Sequence, residues 1–294
     1  MVKRVLMIMN PNAGQKRGKR FLADILELFR ENEYVTTVML TTCQGDAISL
    51  VKKHAAGMDL IVCVGGDGTF NEVVSGVLQA KLSIPIGYIP AGSTNDFANS
   101  LKLPKNMLKA AQKIVDGTPH TFDVGRFDDR YFSYVASFGA FTKASYSTPQ
   151  NVKNALGHLA YILEGVKDIP SIRPLHLRFE MPTEVIEGDY LFGAISNSTS
   201  VGGILTLNPE IVDMNDGKFE LLLIKAPTTI VELNEIIVAL TTQNYGYSSI
   251  TFATASEMTV YASPEMDWTL DGEREEGKEK RCVKNLHSAI QLII

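Results

Sequence analysis

The chain has 294 residues, 45% of them apolar and 21% charged, with a net charge of -5. That is ordinary globular composition with length for two domains, and its acidic balance argues against nucleic acid as a partner. Its three cysteines (Cys43, Cys63, Cys282) are odd in number and far apart, so they form no disulfide framework or zinc spacing, which suits a reducing cytosol. No apolar stretch approaches the ~20 residues that span a bilayer. Val2-Lys3-Arg4 is followed by too short an apolar run to read as a signal peptide. The expectation is a soluble, cytoplasmic protein, peripheral at most to the inner face of the membrane.

In chain order, Val5 to Met9 is the first core strand, ended by the loop Asn10-Pro11-Asn12-Ala13-Gly14. Phe21 to Arg30 has apolar residues at helical spacing, Tyr34 to Thr42 is β-branched and strand-like, and Asp46 to Ala56 is a second amphipathic helix. Leu60 to Val64 is a continuously apolar, buried-type strand. A helix from Thr69 to about Gln79, a strand Ile84 to Ile89, a helical Phe97 to Leu101 and a helix Leu108 to Val115 follow. Alternating strands and helices predict a mainly parallel α/β sheet, whose ligands sit at the carboxyl ends of the strands. The loops after Met9, Val64 and Ile89 are all polar and could share one cleft.

From Thr121 the pattern changes to strands: Thr121 to Gly125, Tyr131 to Ser137, Leu175 to Met181, Tyr190 to Ile195, Lys218 to Ile224, Ile250 to Ala253, Glu257 to Tyr261 and Ser288 to Ile294. Helices Asn151 to Lys167 and Thr229 to Leu240 interrupt them. The expected architecture is a three-layer α/β domain over residues 1–122 and an antiparallel β-sandwich over 123–294. No Pro-, Gly- or Ser-rich linker separates the halves, so a cleft between them is expected. Arg274 to Arg281 is most simply a solvated loop of mixed charge.

The central stretch is Gly65-Gly66-Asp67-Gly68-Thr69-Phe70-Asn71-Glu72, directly after the apolar strand. Thr69 with Glu72 three residues on has the form of a capping box. Strand, glycine turn and helix start present bare N–H groups and a positive dipole end to a phosphate. The alternative is a tight turn without a ligand, but three glycines around one aspartate exceed what a turn needs. Asp67 suits a metal or a hydroxyl beside the phosphates.

These residues, with Asn10-Pro11-Asn12-Ala13-Gly14, Pro90-Ala91-Gly92-Ser93-Thr94-Asn95-Asp96 and Asp271-Gly272-Glu273, occur in order and at fitting intervals. Together they resemble the diacylglycerol kinase catalytic-domain family, specifically its soluble bacterial branch, related to sphingosine and ceramide kinases. The glycine motif alone is shared with NAD kinases and 6-phosphofructokinases; the four-motif set is specific. The resemblance implies an NAD kinase-like nucleotide-binding domain, a β-sandwich and an active site between them. It also implies transfer of the ATP γ-phosphoryl group to a lipid hydroxyl with Mg²⁺.

On that resemblance, Gly65, Gly66, Gly68 and the start of the helix at Thr69, Phe70 and Asn71 cradle phosphates. Asn10, Pro11, Asn12, Ala13 and Gly14 form another wall of the nucleotide site. Gly92 joins the site, and Ser93 and Thr94 donate hydroxyl hydrogen bonds to phosphate or ribose; alone, Asn10-Pro11 and Ser93-Thr94 read as turn and cap chemistry, and it is their co-occurrence that reverses this. Thr41 matches a further nucleotide contact. Asp67 can hold a catalytic Mg²⁺ through oxygen or water. Glu273 matches the catalytic carboxylate and is the candidate general base, with Asp271-Gly272 alone reading equally as a hairpin turn. Asp123 matches another acidic site residue, or else caps a strand end.

The stretch from Asp213 to Lys218 resembles a structural Mg²⁺ loop, with a carboxylate from Asp216 and backbone carbonyls from Asp213 and Lys218; as bare sequence it is a hairpin signal. Lys16, Arg17, Lys19 and Arg20 are either solvated or a contact for ATP phosphates and anionic lipid headgroups, extended by Lys143, Lys153 and Lys167. The five histidines show no ligand spacing and take no role. Phe138-Gly139-Ala140-Phe141-Thr142-Lys143 lacks the acidic residue that many bacterial members carry there, which leaves the lipid open. The oligomeric state is open too, a homodimer included. An NAD kinase-like enzyme with a soluble acceptor, or a non-catalytic nucleotide- or lipid-responsive module, are the alternatives. The intact Asp67 and Glu273 argue against the module. Against the NAD kinase, its second Asn-Glu motif has no recognisable place here.

Overall fold

The computed structural model describes residues 2–139, 173–201, 205–208 and 210–294. The expected helix Asn151 to Lys167, Lys143 and the end of the Phe138–Lys143 segment lie outside these residues. By packing, the chain forms two units, residues 1–124 with 287–294, and residues 125–286. The sequence reading places 287–294 in the second domain; here they group with the first.

The first unit contains β1 (Lys3–Met9), α1 (Arg17–Glu31), β2 (Tyr34–Leu40), α2 (Asp46–His54), β3 (Leu60–Gly65), α3 (Asp67–Gln79), β4 (Ile86–Pro90), α4 (Asp96–Ser100), α5 (Met107–Asp116) and most of β5 (Pro119–Phe127). Its sheet runs β2-β1-β3-β4, every pair parallel. The apolar runs predicted as strands are buried because they lie between two helical layers. Val5, Met7, Met9, Leu60, Val62, Val64 and Ile89 share one core with Ile25 and Phe29 of α1 and Met107, Ala110, Ala111 and Ile114 of α5. The alternate positions turn the other way: Tyr88 stacks on Phe70 of α3 at 4.5 Å between ring centroids. Cys63 is fully buried in β3, and that burial pushes its thiol up.

The capping expectation is corrected. α3 starts at Asp67, with Gly66 as its N-cap and no side-chain cap. Thr69 therefore lies inside the first turn. Glu72 instead accepts the N–H groups of Gly45 (2.7 Å) and Ala47 (3.1 Å), at the start of α2.

The second unit holds β6 (Arg130–Phe132), β7 (Val135–Gly139), β8 (Leu175–Glu180), β9 (Val185–Ser196), β10 (Ser200–Val201), β11 (Leu205–Thr206), β12 (Phe219–Lys225), α6 (Ile230–Thr242), β13 (Ile250–Ala255), β14 (Glu257–Ala262), β15 (Trp268–Leu270), β16 (Glu273–Glu275) and the first part of β17 (Lys280–Ile293). Its described ladders are antiparallel. β9 is long enough to pair β8 through its first half and both β7 and β12 through its second. One core collects Phe127, Phe132, Phe138, Phe179, Phe219 and Trp268.

Two expectations change here. The single strand Tyr131 to Ser137 is two strands, broken at Ser133 and Tyr134. The charged run Arg274 to Arg281 is not simply a solvated loop: Glu273–Glu275 pairs with β15, and Arg281 is 2% exposed.

Candidate active site

Because β1, β2, β3 and β4 are parallel, their carboxyl ends lie along one rim. Hydrogen bonds tie the rim together. The Asn10 N–H donates to the Val64 carbonyl at 2.9 Å, Ala91 N–H to Gly65 at 2.7 Å, and Thr41 N–H to Met9 at 2.9 Å. The sequence-predicted Asn10, Thr41, Gly65 and Ala91 segments are thus brought side by side. Asn10 also accepts the Asn12 N–H through Oδ1 (2.9 Å) and donates Nδ2 to the Thr69 hydroxyl (3.3 Å).

The glycines are needed for loop-to-loop contact. A Cβ on Gly14 would strike the Ala91 carbonyl, and Gly14 has a left-handed φ of +47°. A Cβ on Gly66 would meet the Gly92 Cα at 3.2 Å, and one on Gly65 the Thr69 side chain at 2.6 Å. Three loops therefore pack backbone against backbone, an approach that side chains at Gly14, Gly66 and Gly92 would block. Ser93 and Thr94 are exposed, while Thr69 and Asn71 are buried. Phe70 is fully buried between Tyr88 and Phe97, so its ring serves the core under the rim. Asn95 belongs to the same corner and the sequence reading gave it no role. It is left-handed (φ 53°), donates Nδ2 to the Gly92 carbonyl at 2.9 Å, and its buried Oδ1 has no hydrogen-bond partner among the described residues.

Asp67 opens α3 and reaches the start of α4. Its Oδ2 accepts the Asp96 N–H at 3.0 Å and its Oδ1 the Phe97 N–H at 3.3 Å. Burial raises its pKa above the ordinary carboxylate value, against the pull of these amides. No cation pairs with it among the described residues. A half-buried, rigidly held oxygen donor with lone pairs to spare and no counter-charge among the described residues fits Mg²⁺, a hard cation that binds through one or two carboxylates plus phosphate and water.

Asp123 is 1% exposed in the middle of β5, not at a strand end. Its Oδ1 lies 3.0 Å from His287 Nδ1 and accepts the Ser288 N–H at 2.7 Å. Ser288 has φ 51°, so the carboxylate holds a left-handed residue of β17 in place. The sequence offers no ligand spacing around His287, and its partner lies 164 residues away.

In the second unit, Asp271 and Gly272 form the two-residue loop between β15 and β16, with φ 49° and 87°. These are the values of a hairpin turn of the I′ type. Asp271 is buried, and its carboxylate accepts the N–H groups of Ser133, Tyr134 and Val135. That explains the break between β6 and β7: the unpaired amides go to a side chain. Glu273, the first residue of β16, has its Oε2 3.0 Å from Arg130 Nη2. Arg130 was not anticipated, since no local signal in Asp128-Asp129-Arg130 points to a partner 143 residues away.

In the Asp213–Lys218 loop, Asp213 accepts the Asn215 N–H and Asp216 the Lys218 N–H, both at 2.9 Å. The Lys218 carbonyl accepts from Asn285 Nδ2 at 2.9 Å. Among the described residues no group of three His, Cys, Asp or Glu side chains could hold a metal. Lys16, Lys19 and Arg20 are exposed at the start of α1. No helix of the described residues is long and apolar enough to cross a membrane.

A family model described as the diacylglycerol kinase catalytic domain matches residues 4–127. The diacylglycerol kinase of Bacillus subtilis (strain 168) is 35% identical over 274 residues, covering 92% of this chain and 90% of that protein. The diacylglycerol kinase of Staphylococcus haemolyticus (strain JCSC1435) is 30% identical over 275 residues, covering 93% and 83%. A crystal structure of a diacylglycerol kinase from Bacillus anthracis str. Sterne superposes with a TM-score of 0.78 at 21% identity, covering 99% of this chain and 96% of that one, a likeness of fold.

Proposed function

The chain belongs to the diacylglycerol kinase family and is a lipid kinase, and from that premise we propose that it moves the γ-phosphoryl group of ATP to the hydroxyl of diacylglycerol or a similar lipid. What carries the reading is the rim of the first unit, where three glycine-bearing loops meet beside the uncompensated Asp67 carboxylate. Phosphoryl transfer asks mainly for positioning and for neutralisation of charge on the equatorial oxygens.

In this proposal the amides around Gly65, Gly66, Gly68 and Thr69, with Asn10 to Gly14, Thr41 and Gly92 to Thr94, hold the nucleotide. Asp67 holds Mg²⁺, which when bound supplies charge neutralisation to the phosphates. Glu273 takes the proton of the lipid hydroxyl as that oxygen bonds to the γ-phosphorus and the bond to the ADP oxygen breaks; the proton then passes to water. Asp123, with His287 behind it, supplies a second acidic group to the site. The Asp213–Lys218 loop is proposed as a second, structural Mg²⁺ loop through the Asp216 carboxylate and the Asp213 and Lys218 carbonyls. Lys16, Arg17, Lys19 and Arg20 are proposed to touch an anionic bilayer, a contact that salt would weaken.

The test is transfer of labelled γ-phosphate from ATP-Mg²⁺ to diacylglycerol, phosphatidylglycerol, a sphingoid base, undecaprenol and NAD, with wild type and Glu273→Gln side by side. Label in diacylglycerol that disappears in the variant is expected. Label only in NAD would overturn the acceptor class, and a fully active variant would overturn the base.

A further inference from the structure

Arg130 lies opposite Phe127 in the hairpin of β5 and β6 and reaches across to β16. Residues two apart on a strand share a face, so Glu273 and Glu275 point the same way. One guanidinium meets both, Nη2 at 3.0 Å from Glu273 Oε2 and Nη1 at 2.8 Å from Glu275 Oε2. The hairpin is pinned from behind. The buried Arg281 lies over the Phe127 ring, pairs with Asp128 at 2.7 Å and with Glu275 at 3.1 Å, and donates to the Glu276 carbonyl. The Cys282 N–H donates to the other Asp128 oxygen at 2.9 Å. Burial opposes ionisation of Asp128, but these donors outweigh it and lower its pKa.

A chain of charges therefore runs from the core, through Asp128, Arg281, Glu275 and Arg130, to Glu273 at the surface end. Among the described residues the side-chain hydrogen bond to the Glu273 carboxylate comes from Arg130 and goes to Oε2. We infer that Arg130 is the positioning residue for Glu273: it grips Oε2, fixes the direction of the carboxylate and leaves Oε1 to accept the proton of the lipid hydroxyl. The inference rests on the reading of Glu273 as the base. A planar fork holds two carboxylates from two separate nitrogens in fixed directions, whereas a lysine's ammonium is one rotatable point charge that does not fix either.

The experiment is a double-mutant cycle with Arg130→Met, Glu273→Gln and the pair, reading kcat, KM for ATP and the melting temperature of the full chain. Arg130→Met is expected to lower kcat about a hundredfold, as for other losses of alignment near 1 Å, and to leave KM for ATP unchanged. In the Glu273→Gln background it is expected to remove nothing more, since its effect passes through that carboxylate. Arg130→Lys serves as a second variant, keeping a cation and the melting temperature while losing kcat. A wild-type kcat in both Arg130 variants, or losses that multiply in the double variant, would overturn the role of Arg130. A Glu273→Gln enzyme with wild-type kcat would overturn the underlying reading instead, whatever Arg130 does.

Discussion

Asp271 and Val135 hold each other twice. The Val135 N–H donates to Asp271 Oδ1 at 3.0 Å, and the Asp271 N–H donates to the Val135 carbonyl at 2.9 Å. The same carboxylate takes the amides of Ser133 and Tyr134. The aspartate of Asp271-Gly272-Glu273 is thus the fastening of the turn, and the glutamate is the residue it presents. Asp271→Ala would strand three buried donors, each costing roughly 1–3 kcal/mol. A loss of about 3 kcal/mol or more in urea unfolding is expected, together with loss of transfer activity. A variant as stable as wild type would show that the turn stands without this brace.

Asp67→Asn separates stability from chemistry. The folded pKa of Asp67 lies above the ordinary carboxylate value, so ionisation costs stability in the folded state. That cost is present at neutral pH and disappears as pH falls through the folded pKa. The variant is expected to lose activity about a hundredfold or more, in line with removal of one electrostatic stabiliser. Its melting temperature at pH 7 is expected to equal or exceed that of wild type, the difference shrinking on acidification. A marked drop in melting temperature would mean that capping α4 outweighs burial.

Gly14→Ala tests the contact between loops. The substitution forces a left-handed alanine against the Ala91 carbonyl, with a strain of about 1–2 kcal/mol from the backbone alone. If the first and third loops must touch to bind nucleotide, ATP affinity falls about tenfold, the equivalent of 1.4 kcal/mol. Calorimetric titration with ATP reads this directly. Unchanged affinity would place the nucleotide away from this corner.

Asp216→Asn tests the Asp213–Lys218 loop through metal removal. If Mg²⁺ binds there, EDTA lowers the melting temperature of wild type by about 2–4 °C for each kcal/mol of binding lost. The variant should start lower and not respond. Equal melting curves for wild type with and without EDTA would reduce the loop to a turn closed by Asx hydrogen bonds.

How much was legible follows from what kind of contact each feature needs. β1, β3 and β4 were readable because strands buried on both faces are apolar at every position, and the loops after them had to share a rim once the strands were parallel. The start of α3 was misplaced by two residues because Thr69 and Glu72 match a local rule that Gly66 and Asp67 pre-empt. The break at Ser133 and Tyr134 was invisible: its cause, Asp271, lies 138 residues away from Ser133. Arg281 hid inside a run of charges because nothing local distinguishes a buried arginine from a solvated one. Arg130 and His287 are of the same kind, ordinary polar residues whose partners only the fold supplies.

The reach of Glu72 back to Gly45 and Ala47 has one more consequence. The cap of α2 is a side chain of α3, and the two helices pack so closely that a Cβ on Gly76 would meet Val51 at 2.8 Å. α2 therefore cannot fray at its first turn without α3 releasing it, and α3 begins at the glycine turn itself. The two helices and the turn are therefore expected to open together in native-state amide exchange. Exchange at Gly45 and Ala47 then becomes a remote gauge of ligand at the turn: nucleotide that quiets Gly66 to Phe70 should slow two amides that never touch it.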